Sequence, residues 1–388
     1  MGLSAGHRST PGGKPRARGA GVPFAGTPGE HNAITDIAGV EVGYTTLVAG
    51  EGALKVGEGP VRTGVTAILP RGRQAATEAV FAGAFTLNGN GEMTGLPWVE
   101  ETGRLHGPIT LTNTHSVGTV RDATVKWMNR QLDSQQADGN TFWMPVTGET
   151  CDNWLNDMNG FHVKEEHVFN AIDSAAGGAL EEGSVGGGTG MSCYQFKGGS
   201  GTASRTVQLG GQCYTVGAFV QTNFGVRHLC TVAGIPVGTY FPYTGGQTHR
   251  YLQGHATDQG SIVVVVATDA PLLPHQLKRM ARRGGLGMGR SGGIASNESG
   301  DFFLAFSTAN RAALHNSYEV AAADFLGEFM MTPLFEATVQ AVDEAIVDTL
   351  FANETMVGRD GNVREAFPVA EVVRLLQQHG RWCDPDSL

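Results

Sequence analysis

The stretch "ATDQGSIVVVVATDAPL", residues 256–272, changes from polar to apolar within one residue. Its polar half ends at Gly260, and Ser261 then opens the run Ile262-Val263-Val264-Val265-Val266. Five β-branched residues without a polar interruption predict a strand buried on both faces, since an amphipathic strand would alternate. Such a strand belongs inside a layered fold, covered above and below. The small polar residue at its first position, behind a glycine, is the anomaly.

Working outward, further strand-like runs fall at 39–45, 64–69, 83–87, 109–112, 144–146, 217–222, 229–235 and 302–307, and 191–196 also looks like a strand. Helices are expected at 120–131, after the capping-competent Ser116-Val117-Gly118-Thr119, and at 274–283, opened by Pro274. Residues 166–182 hold another helix candidate. Thr332-Pro333 opens the best amphipathic pattern, with Phe335, Val339, Val342, Ile346 and Leu350 on one face, and a last helix covers 369–379. Strands and helices mixed in this way predict an α/β (α+β) fold of layered sheets covered by helices. No internal repeat and no linker appears after residue 30, so 31–388 reads as a single catalytic domain. Residues 1–30 carry His7, Arg8, Lys14, Arg16 and Arg18 among Gly and Pro, and read as a flexible tail without the apolar core of a secretory signal.

The net charge of −10 and the lack of a basic stripe argue against nucleic-acid binding. No apolar run of about 18 residues is present, so no membrane span is expected. The 57 glycines follow no period and sit among Val, Ile and Phe, which excludes a collagen-like chain and points to tight turns. The five cysteines, Cys151, Cys193, Cys213, Cys230 and Cys383, form no CxxC pair and no zinc spacing. An odd count favours a reducing compartment, and the cytoplasm is the expected location. No metal or other cofactor is expected.

The run Gly186-Gly187-Gly188-Thr189-Gly190 invites a phosphate-loop reading, but no Lys-Ser/Thr pair follows it; a tight structural loop is the simpler reading. His115 in "NTHSVG" lacks a Gly-x-Ser-x-Gly elbow to partner it. Ser261 is a poor nucleophile unless a base stands close by. Its own α-amine would serve if the chain were cut before it, and Gly260 would leave its carbonyl open to the Ser261 hydroxyl. Read alone, however, Gly-Ser before a strand is an ordinary turn.

The wider context alters that reading. "GSIVVVVATDAPLLPHQLKRMARRGGLGMGR" and "SGDFFLAFSTAN" resemble the β-subunit start of the β-peptidyl aminopeptidase family, which includes L-aminopeptidase/D-Ala-esterase/amidase members. The resemblance continues, in order, through "ITDIAGVEVGYTT", "TGVTAILPRG", "LNGNGEMTG", "LTNTHSVGTVRDA", "PVTGETCDNWLND", "GSVGGGTGM", "FKGGSGTASR" and "VQTNFG", over roughly residues 32–352. It implies a four-layer α/β/β/α sandwich that cleaves itself between Gly260 and Ser261 into an α chain 1–260 and a β chain 261–388. Ser261 would be the N-terminal nucleophile, Ser299 and Asp301 its supporting hydroxyl and acid, and Asn223 the oxyanion donor. Glu149 would receive the free amine of the substrate. Cys151, two residues on, stands where members carry an aromatic, so this pocket wall departs from the family pattern.

The implied activity is removal of N-terminal residues from short peptides, amino-acid amides or esters (β-peptidyl, L-aminoacyl or D-Ala derivatives), in a homotetramer of αβ units. Two other functions compete: an acyltransferase like the ornithine acetyltransferases, which look to use threonine where this chain has Ser261, and a non-enzymatic nucleotide binder using residues 186–190.

Overall fold

The Ile262–Val266 run lies in a strand whose eight residues are all buried, and its two faces enter different cores. Ile262, Val264 and Val266 pack into one apolar cluster with residues of two long helices, while Val263, Val265 and Ala267 pack into a second cluster with residues of another sheet. A strand apolar on both faces is stable only with a layer on each side, and the chain supplies both.

The computed structural model describes residues 3–132, 141–243, 260–314 and 319–387. The four-residue helix α1 (Ala5–Arg8) precedes strands β1 (Glu41–Ala49), β2 (Val61–Leu69) and β3 (Val80–Gly89). Then come α2 (Leu96–Thr102), β4 (Arg104–Leu105), β5 (Ile109–Asn113), α3 (Val117–Arg130), β6 (Thr147–Thr150) and α4 (Glu165–Asp173). A short hairpin, β7 (Ser192–Cys193) and β8 (Phe196–Lys197), leads into the long antiparallel pair β9 (Ser200–Leu209) and β10 (Gln212–Asn223). The β11 strand (Ser261–Thr268) is followed by α5 (Pro274–Arg290), β12 (Gly300–Ser307) and α6 (Met331–Phe351). Last come β13 (Met356–Val357), β14 (Val363–Arg364) and α7 (Val369–Gln378).

One sheet has the order β4-β3-β12-β11-β10-β9 and the other β1-β2-β5-β6. Helices α5 and α6 cover the outer face of the first, and α3 and α4 that of the second. The inner faces meet through Ile34, Ile68, Leu111, Phe219, Val263 and Leu304. This is the four-layer α/β/β/α sandwich. Among the described residues no helix is long and apolar enough to cross a membrane, and no cluster of metal-ligating side chains occurs.

Three local expectations are corrected. The run 229–235 forms no strand: it turns back on itself through Ala233 and Gly234, both at positive φ, leaving a single bridge between Val232 and Ile235. The strand expected at 144–146 starts at Thr147, beyond Pro145, which has no N–H for a ladder. The strand expected at 191–196 is the β7–β8 hairpin, turned by Tyr194 and Gln195 at positive φ.

The N-terminal segment is also not a free tail. Arg16 and Arg18 are 3% and 5% exposed. Arg16 donates to Asp348 Oδ2 from Nε (3.2 Å) and Nη2 (2.9 Å), and Arg18 grips Glu344 with Nε and Nη2 at 2.8 and 2.6 Å. Arg205 Nη2 and Asn32 Nδ2 complete the shell of Glu344 at 2.6 and 2.8 Å. Basic residues among Gly and Pro look solvated in sequence, but here they meet the carboxylates of α6 inside the core. Burial alone would raise the Glu344 carboxyl; Arg205 and Arg18 outweigh it and hold the group well below the ordinary carboxylate range. Its stabilisation is therefore present above the unfolded-state pKa and lost only in strong acid.

Glu344→Gln leaves Arg18 and Arg205 buried without their counter-charge. The expected cost is about 3 kcal/mol, read as a lower urea midpoint at neutral pH. An unchanged midpoint would show that the cluster carries no such weight.

Candidate active site

Strand register alone assembles most of the predicted site. Ser261 pairs with Asn223 on one side, in the antiparallel β10–β11 ladder, and with Gly300 on the other, in the parallel β11–β12 ladder. Ser299 and Asp301 therefore flank the residue directly beside Ser261. All are inaccessible or nearly so: Ser261 is 5% exposed, Ser299 1%, Asp301 0% and Asn223 8%.

At the junction, the Gly300 N–H donates to the Gly260 carbonyl at 3.2 Å and lies 3.3 Å from Ser261 Oγ. One donor thus touches both the candidate nucleophile and the carbonyl it would attack. Gly260 is glycine for reasons of space: a Cβ there would stand 2.1 Å from Asn223 O and 2.4 Å from Phe224 Cα. Ser299 Oγ donates to Asp301 Oδ1 at 2.7 Å. The turn carrying Ser299 is held by the end of β3, where Asn88 Nδ2 donates to Ser296 O and Asn90 Nδ2 to Glu298 O, at 2.5 and 2.6 Å.

Asn223 is oriented by groups that admit one reading. Its Oδ1 accepts from Ser192 N at 2.9 Å and its Nδ2 donates to Cys151 O at 2.8 Å. A backbone N–H can only donate and a carbonyl only accept, so the amide cannot flip. One Nδ2 proton remains outside these two bonds, as an oxyanion donor requires.

Glu149, in β6 and paired with Thr112 of β5, accepts from Glu92 N at 2.9 Å and from the Thr114 hydroxyl. It lies close to the strand ends: Glu149 Oε1 and Gly300 Cα both fall within 4 Å of where a Gly91 Cβ would stand. Burial raises its pKa, against the opposing bonds from Thr114 and Glu92. The Cys151 side chain is half-buried with Sγ 3.8 Å from Met158 Sδ, and burial pushes its thiol up, which disfavours the thiolate a cysteine nucleophile needs.

The other candidates are otherwise used. His115 is exposed and stacks on Phe161, centroids 5.9 Å apart. The N–H groups of Gly186 and Gly187 donate to Thr46 and Thr66 hydroxyls at 2.9 and 3.1 Å, so this buried loop is a packing element and no anion cradle. Thr114, Ser192 and the Glu92 N–H were not anticipated. Thr114 stands next to His115 in "NTHSVG", the residue that drew attention instead. Ser192 had no signal, because it acts through its backbone.

A serine at the start of a central strand, hydrogen-bonded acid and hydroxyl beside it, and a four-layer sandwich define a hydrolase of the N-terminal-nucleophile type. The profile of Peptidase family S58 matches residues 32–364. Beta-peptidyl aminopeptidase BapA of Sphingosinicella microcystinivorans is 52% identical over 374 residues, covering 95% of this chain and 93% of that protein. The solved structure of an L-aminopeptidase D-Ala-esterase/amidase from Ochrobactrum anthropi, described as a variant of the Ntn hydrolase fold, superposes with a TM-score of 0.87 at 45% identity, covering 95% of this chain and 100% of that one. A Burkholderia sp. beta-aminopeptidase gives 0.82 at 44% identity, with 95% and 100% coverage. The chain belongs to Peptidase family S58 and is a serine aminopeptidase on that fold.

Proposed function

We propose that the chain cuts itself between Gly260 and Ser261, and that the freed Ser261 then removes N-terminal residues from short peptides, amino-acid amides or esters, with β-peptidyl, L-aminoacyl and D-Ala derivatives as the candidate acyl groups. The single observation that carries this is the Gly300 N–H set between Ser261 Oγ and the Gly260 carbonyl. In self-cleavage, Oγ attacks the Gly260 carbonyl carbon and the Ser261 nitrogen leaves with a proton. Water then hydrolyses the ester, giving a Gly260 carboxylate and a free Ser261 amine.

In turnover that α-amine accepts the Oγ proton as Oγ attacks the substrate carbonyl, and the proton passes to the departing amine. Water releases the acyl group from Ser261. The negative charge on the carbonyl oxygen falls to Asn223 Nδ2, while Ser299, held by Asp301, orients the Ser261 amine. Glu149 receives the substrate ammonium, and Cys151 forms a wall of the same pocket. The odd number of cysteines, five, supports a cytoplasmic location. The fully exposed Val320 and Phe329 support assembly, for which a homotetramer of αβ units is our reading.

Intact-mass analysis should return fragments 1–260 and 261–388, the second beginning Ser-Ile-Val-Val; an intact active chain would overturn the reading. The raised pKa of Glu149 adds a pH signature. The carboxylate must be ionised to hold an ammonium, so KM for amine-bearing substrates should rise on acidification at a higher pH than an ordinary glutamate would impose. Glu149→Gln should raise KM about 10- to 100-fold and erase that acid limb.

A further inference from the structure

Arg364, in the short strand β14, stands at the other end of the hydrogen-bonded wall that holds Asn223. Its Nε donates to Ser192 Oγ at 2.8 Å, and the N–H of the same Ser192 holds Asn223 Oδ1. The guanidinium stacks on Trp154, 4.4 Å from the ring centroid, and Nη1 donates to the Tyr243 hydroxyl at 2.9 Å and to Val363 O at 3.4 Å. Among the described residues every one of these acceptors is a neutral oxygen, and Nη2 makes none of the bonds.

A largely desolvated guanidinium without a counter-ion is costly, so a site that keeps one rigid is built for an anion. Burial lowers its proton affinity, as expected for an unpaired cation. Arg227 adds positive charge beside it; among the described residues its guanidinium likewise meets neutral acceptors, the carbonyls of Tyr194, Gln195 and Phe241, and it lies over the Tyr243 ring. Glu365, whose charge acts on Arg227, is exposed, and among the described residues it forms no ion pair with either arginine.

The wall therefore runs from a carboxylate, Glu149, through Cys151 O and the Asn223 amide to Ser192 and a free guanidinium edge, Arg364. Resting on the aminopeptidase reading above, we propose that Arg364 binds the free C-terminal carboxylate of short peptide substrates, so that the site recognises a zwitterion by both ends with the scissile carbonyl at Asn223. A planar fork held by stacking suits a carboxylate better than a flexible ammonium would.

The test compares β-alanyl-alanine and L-alanyl-alanine with their C-terminal amides on the processed full-length protein. The free acids should have kcat/KM values about 10- to 100-fold above the amides, mainly through KM. In Arg364→Gln that ratio should fall to near one, and Arg364→Lys should keep part of it. A wild-type ratio of one or less would overturn the proposal. So would an Arg364→Gln enzyme that keeps the wild-type ratio while slowing on all substrates, which would make Arg364 a positioning residue for Ser192 and Asn223 alone. Hydrolysis of the amides reports on the aminopeptidase reading by itself: if neither acids nor amides are cut, both readings fall.

Discussion

Ser261→Ala gives a single uncut chain on a denaturing gel and no measurable aminopeptidase turnover. The loss should be of the order of 10⁶-fold, the scale on which serine hydrolases fail without their nucleophile. The folded state should barely notice. Ser261 sits in a strand with every residue buried, and its hydroxyl makes one long contact, 3.3 Å from Gly300 N. Replacing it with a hydrogen removes a weak bond from an apolar strand, so the unfolding free energy should stay within about 1 kcal/mol of the uncut wild-type precursor. A Ser261→Ala protein that still separates into 1–260 and 261–388 would place the cut in other hands. In the wild type, a base that is the α-amine of Ser261 predicts a rate rising with pH through roughly 7.7–8.0, shifted by its burial beside Asp301.

Asn223→Ala carries the second largest effect, because one side chain serves two reactions. The same N–H would stabilise the oxyanion in substrate hydrolysis and lie beside the Gly260 carbonyl during self-cleavage. Turnover should fall about 10²- to 10³-fold in kcat, and uncut precursor should accumulate. Asn223→Asp sharpens the test: it retains an acceptor for Ser192 N but loses the donor to Cys151 O and puts negative charge where the oxyanion forms. It should be at least as slow as the alanine variant. An unchanged kcat with a raised KM would instead assign Asn223 to ground-state binding.

How much of this was legible in the chain itself differs from residue to residue. The β11 strand announced its own burial, since five β-branched residues in succession suit a central strand with both faces covered. The α6 helix was equally plain from its 3.6-residue stripe. By contrast β9, "SGTASRTVQL", is rich in Ser and Thr and was not anticipated, although its first six residues are buried. Those hydroxyls are tolerable because they bond internally, as Thr202 Oγ1 does to Ala218 O at 2.8 Å. The N-terminal arginines misled for the opposite reason: their carboxylate partners, Glu344 and Asp348, lie more than 300 residues away.

At the site, Ser261 and Gly260 could be suspected from chemistry alone, because a serine can carry its own base only at a chain end. Ser299, Asp301, Asn223 and Glu149 could be named only through the family resemblance. By themselves "SGD", "TNFG" and "TGET" read as turns or strand ends. What the sequence by itself determined was the two-faced strand, hence a layered sandwich, and a serine placed to become an N-terminus. Those follow from neighbours along the chain. The companions of that serine, the single orientation of Asn223, the core position of Arg16 and Arg18 and the neutral set of acceptors around Arg364 among the described residues were decided by tertiary structure. Each depends on the pairing of segments far apart in sequence, and strand register and burial are properties of that pairing.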